Sequence, residues 1–428
     1  MRSKLIASAA LLAAASIVLA GCTSEGSSED DNTLTLWHFE SADSAMGKAW
    51  DAAIETFEKE TGATVKFEEK SFEQIRSTAS QVLNSDAAPD ILEYNKGNAT
   101  AGLLASQGLL MNLDDAYETY GWGDKLATSL QTTARYDENG VMGSGSYYGV
   151  PNYGEFTMMY YNQDMFDQYG IEIPTDMDSF EAALAAFKAQ GITPLAESAA
   201  EYPLGQLFYQ LALSKADRQF VNDYELYENP VDWQGPELTY AAETIADWVD
   251  KGYISKDSSG LKAEDAGVSF INGTSPMFYS GSWWYGRFQN DITFNWTSGL
   301  YPEGDLTPGS SGNIWAIPAN AKHADLAEKF IDITMRPEIQ AIIGNNGGVP
   351  VAADEADITD PKSKELIASF NTVNERDGLS FYPDWPTSTF YDQLNAALQE
   401  LVNGTTTPKE FLTQLGTQYD EGVADIVG

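Results

Sequence analysis

Residues 33–37 read TLTLW, residues 64–68 read TVKFE and residues 91–93 read ILE, and the two stretches between them carry apolar side chains at helical spacing. Met46, Trp50, Ala53, Ile54 and Phe57 recur every three or four positions before Gly62, and 71–83 is a second amphipathic run. Short β-rich runs alternating with helices predict a parallel sheet covered by helices.

Working outward, the spacing predicts helices over 99–110, 178–188, 204–213, 236–251 and 324–335. It predicts further helices over 337–343, 361–370, 388–402 and 408–423. Short strands are expected at 193–196, 276–281 and 314–318, and a buried strand at 157–162 follows a turn at 148–151. There the chain is expected to cross to a second lobe. The division expected is a first lobe over 33–150 that regains part of 300–350, and a second over 151–300. Helices in 351–428 then pack across both.

The chain has 428 residues, 24 Lys and Arg against 64 Asp and Glu, and a net charge of −40. Its length points to two or more domains. No basic groove exists to neutralise phosphates, which argues against nucleic acid, and anionic lipid heads would repel it. One cysteine excludes an internal disulfide. Two His and one Cys argue against a zinc site or a Cys/His nucleophile, and neither a metal nor another cofactor is expected.

At the start, Arg2 and Lys4 precede an apolar run over 5–19 that is too short to span a bilayer comfortably. Leu19-Ala20-Gly21-Cys22 follows and resembles the lipobox of bacterial lipoproteins. That resemblance implies a signal peptide over 1–21, a lipid on Cys22 and an anchor on the outer face of a cell membrane, with a Gram-positive bacterium expected. Residues 22–32 then form a polar tether.

Nearly end to end after Asn32, the chain resembles the family 1 extracellular solute-binding proteins of ABC importers, the maltodextrin-binding type. The resemblance is carried in order by TLWHFES (35–41), FEKETGATVKFEE (57–69), SDAAPDILEYNKGN (85–98) and GLLMNLDD (108–115). It continues through YGVPNYGEFTMMYYNQDMF (148–166), FINGTSPMFYSGSWW (270–284), IWAIPANAKHADLAEKFIDIT (314–334) and GVPV (348–351). It implies a two-lobed α/β fold of the periplasmic-binding-protein type (type II), with the ligand in a cleft between hinged lobes. Open α/β sheets bind ligands beyond the carboxyl ends of their strands, which agrees.

A sugar offers flat C–H faces and a rim of hydroxyls, so its receptor needs aromatic rings beside planar polar groups. Glu40 and Ser41 follow the first strand, where the family places polar contacts. Tyr94, Asn95 and Asn98 suit a loop facing the cleft, while Lys96 reads as solvated. Glu155 stands at the crossover and matches a position that the family uses for sugar hydroxyls, with a hinge role compatible. Tyr202 and Trp283 belong to regions that bring aromatics from the second lobe. Trp283 is favoured over Trp284 because neighbours on an extended segment point opposite ways. Asn313 supplies an amide or a simple turn, and Tyr382, Asp384 and Trp385 lie on a loop stiffened by Pro383 and Pro386. His38 is balanced between packing and function, and Trp37 is read as packing.

The function implied is capture of a neutral oligosaccharide, without covalent change, by a monomer that hands it to the permease subunits of an importer. Xylo-oligosaccharides stand slightly ahead of α-galactosides and isomalto-oligosaccharides. A secreted glycoside hydrolase using a carboxylate pair among Glu40, Glu155 and Asp384 is the enzymatic alternative. Capture of a metal or a peptide is a third.

Overall fold

The computed structural model describes residues 32–428; Cys22, the signal segment and all of the tether but Asn32 lie outside the described residues. Twelve strands can be followed: β1 (Thr33–His38), β2 (Thr64–Glu69), β3 (Ile91–Tyr94), β4 (Arg135–Tyr136), β5 (Ser146–Tyr147), β6 (Val150–Pro151), β7 (Gly154–Asn162), β8 (Leu195–Ala196), β9 (Met277–Gly281), β10 (Trp296–Gly299), β11 (Gly309–Ser311) and β12 (Ile314–Ala316).

The first sheet runs β2-β1-β3-β12-β6. β1, β2 and β3 are parallel as expected, and β12, expected at 314–318, joins antiparallel to both β3 and β6. The second runs β10-β7-β9-β8, with β11 also on β7. The chain passes between the sheets at 152–153 and 312–313, and Gly154 N donates to Val349 O at 2.7 Å where a third segment returns.

Each sheet has its own packing. Helix Ala45–Thr61 starts at Ser44, whose hydroxyl accepts from Gly47 N, and ends at Gly62 in the left-handed region. Its buried face, Met46, Trp50, Ala53 and Phe57, lies on the first sheet, where Trp50 meets Trp315 edge-on at 4.9 Å. Helix Pro203–Leu213 is buried along its whole length. It is enclosed by helices Pro236–Lys251 and Phe390–Asn403 and by the second sheet, which is why its sequence is apolar all round.

The last two helices, Phe390–Asn403 and Pro408–Val427, pack mainly on these second-lobe helices. They touch the first lobe through Arg76 with Asp392 and Glu73 with Tyr391. Helix Pro361–Glu375 lies against helix Pro337–Asn345 and β7. Among the expected helices, 99–110 differs: it is a π-helical turn, Asn98–Gly102, followed by the short helix Leu103–Ser106. The chain leaves β3 through Gly97 at φ 99° beneath Trp385, which disrupts the regular start that periodicity alone suggests.

Candidate functional site

A cavity of about 1050 Å³ lies between the lobes, at the carboxyl ends of β1 and β3. Glu40 and Ser41 leave β1 toward it, and Asn95 and Lys96 leave β3. The crossings supply Tyr153, Glu155 and Asn313, and the second lobe supplies Tyr202, Gln206 and Trp283. Tyr382, Asp384 and Trp385 close one wall.

The wall at 380–386 is held by three tyrosine hydroxyls from two second-lobe helices and the residue that caps one of them. Tyr209 donates to Ser380 O at 3.1 Å, Tyr224 donates to Pro383 O at 2.9 Å, and Tyr227 donates to Pro386 O. Ala99 N donates to Trp385 O at 2.9 Å from the first lobe. The Trp385 ring rests on Gly97, where a Cβ would sit 2.6 Å from its Cγ. Rings presented this way lose little freedom when a ligand arrives.

At the crossings, Asn313 donates to the Tyr153 hydroxyl at 2.8 Å, and that hydroxyl donates to Glu155 Oε2 at a long 3.4 Å. Gly312 lies so close to the Tyr153 ring that a Cβ would stand 2.3 Å from it. Lys96, 2% exposed, forms an ion pair with Glu155 Oε1. Its Nζ also lies 5.4 Å from the Tyr382 ring centroid and 5.2 Å from that of Trp385.

Burial pushes the Glu40 carboxyl up to about 7, against a hydrogen bond from Ser44 at 3.1 Å, and the nearby charge of Glu155 adds to the rise. Behind it Glu93 is fully buried, and burial, then Glu40, raises it well above the carboxylate range although Asn152 donates to it at 2.8 Å. Burial likewise pushes the half-buried Asp384 up to about 6. The inner cavity therefore mixes one paired charge with carboxyls that take up protons near neutrality.

Ten of the twelve expected site residues border this cavity: Glu40, Ser41, Asn95, Glu155, Tyr202 and Trp283, together with Asn313, Tyr382, Asp384 and Trp385. Tyr94 and Asn98 do not. Tyr94 ends a strand paired on both edges, and its ring is buried in the core with Ile75 and Ala79. Asn98 is a tie: its amide donates to Glu225 O and Tyr227 OH at 2.8 and 2.9 Å, and its carbonyl accepts from Met142 N at 2.7 Å.

Lys96, expected to be solvated, is buried in the site. Its Asn-Lys-Gly-Asn setting looks like an ordinary turn, and only the approach of Glu155 shows otherwise. His38 is buried, stacks on Phe67 at 5.2 Å and does not border the cavity. Trp283 and Trp284 both border it because 282–284 is a 3-10 turn rather than an extended segment. Trp283 donates to Tyr202 OH at 3.3 Å, while Trp284 is packed against Phe288.

Tyr153, Gln206 and Arg287 were not singled out from sequence. Gln206 carried a signal, being one of two amides four residues apart in an otherwise apolar helix, and its side-chain carbonyl has no hydrogen-bond partner in the protein. Arg287, at the cavity rim, grips Glu264 with bonds of 2.8 and 2.9 Å. Among the described residues no group of three His, Cys, Asp or Glu side chains is arranged to hold a metal ion, and no helix is long and apolar enough to cross a membrane.

The family model for bacterial extracellular solute-binding proteins matches residues 52–369. The chain belongs to that family. Among its relatives is the diacetylchitobiose binding protein DasA of Streptomyces coelicolor, 26% identical over 82% of each chain. The arabinooligosaccharide-binding protein of Bacillus subtilis is 23% identical over 74% of this chain and 72% of that one. The xylose/arabinose-binding protein XacG of Haloferax volcanii is 24% identical over 59% of this chain, which spans only 58% of that relative. A chitin oligosaccharide binding protein of known structure superposes with a TM-score of 0.77 at 23% identity, over 92% of this chain and 99% of that one. A raffinose complex of the solute-binding protein RafE gives 0.70 at 19%, over 91% and 99%. These likenesses establish the two-lobed fold of this family member.

Proposed function

We propose that the protein is the capture component of an ABC importer: it takes a neutral oligosaccharide into the interlobe cavity and delivers it, chemically unchanged, to the permease subunits. Lipid on Cys22 holds it, as a monomer, at the outer face of a Gram-positive membrane. The lobes close by rotation about the crossings at 152–153, 312–313 and near Val349, since a ligand touching both walls favours the state in which both are close. The first lobe in this reading is 33–150 with 314–345 returned to it.

The observation that carries the reading is the convergence of Trp283, Tyr382 and Trp385 with Asn95, Glu155 and Asn313 on one cavity. Rings for sugar faces and planar groups for hydroxyls come from both lobes. The sugar-binding names of relatives support the ligand class; xylo-, α-galacto- and isomalto-oligosaccharides all remain in the panel.

Calorimetry against that panel tests it. Trp283→Ala and Asp384→Ala should each weaken binding about tenfold or more, roughly 1.4 kcal/mol, with little change in melting temperature. Unaltered affinity in both overturns the site. Hydrolysis with Glu155 as the nucleophile is disfavoured because Lys96 and Tyr153 engage both of its oxygens. Monosaccharide release at enzyme-like rates would overturn simple capture.

A further inference from the structure

Lys96 is the sole lysine or arginine among the fully buried side chains of the described residues. It comes from the loop after β3, and its partner Glu155 comes from β7 of the other sheet; both border the cavity. A buried ion left without its partner is strongly unfavourable, whereas the pair together presents no net charge. A charged sugar brought against the intact pair finds both of its charges already matched, and beside it must be desolvated without a partner.

We propose that the Lys96–Glu155 pair is the charge filter of the inner cavity, accepting uncharged sugar rings and rejecting both uronates and amino sugars. The inference rests on the sugar-capture reading and names the residues that decide which sugars enter. Specificity of this kind comes from a penalty on the wrong ligand as much as from contacts to the right one. Tyr382 and Trp385 border the same cavity and lie beside the Lys96 ammonium, so the pair stands in the wall that a captured sugar meets.

Other ionisable groups face the pair: Glu40 from the loop after β1, Tyr153 beside Glu155, and Tyr382 and Asp384 from the 380–386 wall, with Glu93 behind Glu40. At about pH 5 Glu40 and Asp384 lie below the values at which they lose their protons, about 7 and about 6, so the filter can be read with little interference.

The filter makes opposite forecasts for its two halves. Glu155→Gln leaves a lone cation, and a uronate carboxylate then supplies the missing partner. Lys96→Met leaves a lone carboxylate, and the ammonium of an amino sugar supplies it.

The experiment is calorimetry at about pH 5 on the full chain with xylotriose, raffinose and isomaltotriose as neutral probes, digalacturonate as the acid and diglucosamine as the amine. The natural protein should bind at least one neutral probe about tenfold more tightly than either charged one. Glu155→Gln should gain digalacturonate affinity about tenfold, Lys96→Met should gain diglucosamine affinity likewise, and the double variant should reject both. Parallel loss of all probes in both folded single variants overturns the filter while leaving sugar capture intact. If one single variant fails to fold, the other decides: a gain in affinity for its matching charged probe supports the proposal, and no gain overturns it. A natural protein that binds no sugar overturns the capture reading, and the filter with it.

Discussion

Arg76 of the first lobe lies over the ring of Tyr391 of the second, its guanidinium carbon 4.2 Å from the ring centroid. Arg76 also bonds Glu73 at 3.1 Å and Asp392 at 3.2 Å, while the Tyr391 hydroxyl donates to Glu73 at 2.9 Å. Phe72 and Tyr391 border the cavity, so this cluster ties the two lobes at its rim. The Asp392 carboxylate is largely exposed and contributes little; the stacked cation matters more.

Removing it with Arg76→Ala should cost about 0.5–2 kcal/mol of interlobe attraction. Small-angle scattering of the ligand-free variant should show a larger radius of gyration, and sugar affinity should fall severalfold. An unchanged radius would show that the cluster does not hold the lobes together.

Tyr224→Phe deletes the buried hydroxyl that holds Pro383 O. Leaving that carbonyl unpaired should destabilise the protein by about 1–3 kcal/mol and weaken sugar binding through Tyr382 and Trp385. Tyr169→Phe, at an exposed ring, is the control. Thermal melts with calorimetry check this, and equal behaviour of the two variants would refute the role of the hydroxyl.

Gly97→Ala places a methyl where Trp385 now rests, at a backbone φ of 99° that L-residues rarely adopt. We expect a loss above about 1 kcal/mol in stability and a marked loss of affinity. A variant matching the natural protein in both would mean that the Trp385 ring can shift freely.

The raised carboxyls set a direction for pH. Glu40 moves from 4.5 to about 7 and Asp384 from 3.8 to about 6, each chiefly through burial. Between the unfolded and folded values the native state binds more protons, so stability falls as pH rises through roughly 4–7. Glu93, Glu197 and Glu225, raised by burial, act in the same sense. Asp90 acts oppositely: its burial is outweighed by hydrogen bonds from Thr35 and His323, and the stability it adds is lost as pH falls below the usual carboxylate range. Melting temperature should decline from about pH 5 to 8, less steeply in Glu40→Gln. A rise over that interval would contradict the buried acids.

The first sheet was legible because β1, β2 and β3 keep their apolar periods and the helices between them show buried stripes. Their carboxyl ends then pointed to Glu40 and Asn95. What the sequence hid depends on partners far away in the chain. Lys96 looks solvated until Glu155 and Trp385 arrive, and Arg287 is an ordinary helical charge until the lobes face each other. Tyr94 and Asn98 flank the cavity residues Asn95 and Lys96, yet one side chain enters the core from the end of β3 and the other secures backbone. Neighbours in sequence diverge in this way because a loop must both attach itself and present a surface.

Strand β12 sits between β3 and β6 although it is the last strand made. A nascent chain can therefore assemble β1, β2 and β3 early, but it leaves the edge of β3 open until Ala316 and its neighbours have been synthesised. During that interval the unpaired edge invites pairing with another molecule. A chaperone that shields nascent edges should raise the yield of native protein, and a fragment ending before Ile314 should aggregate rather than form a free-standing first lobe.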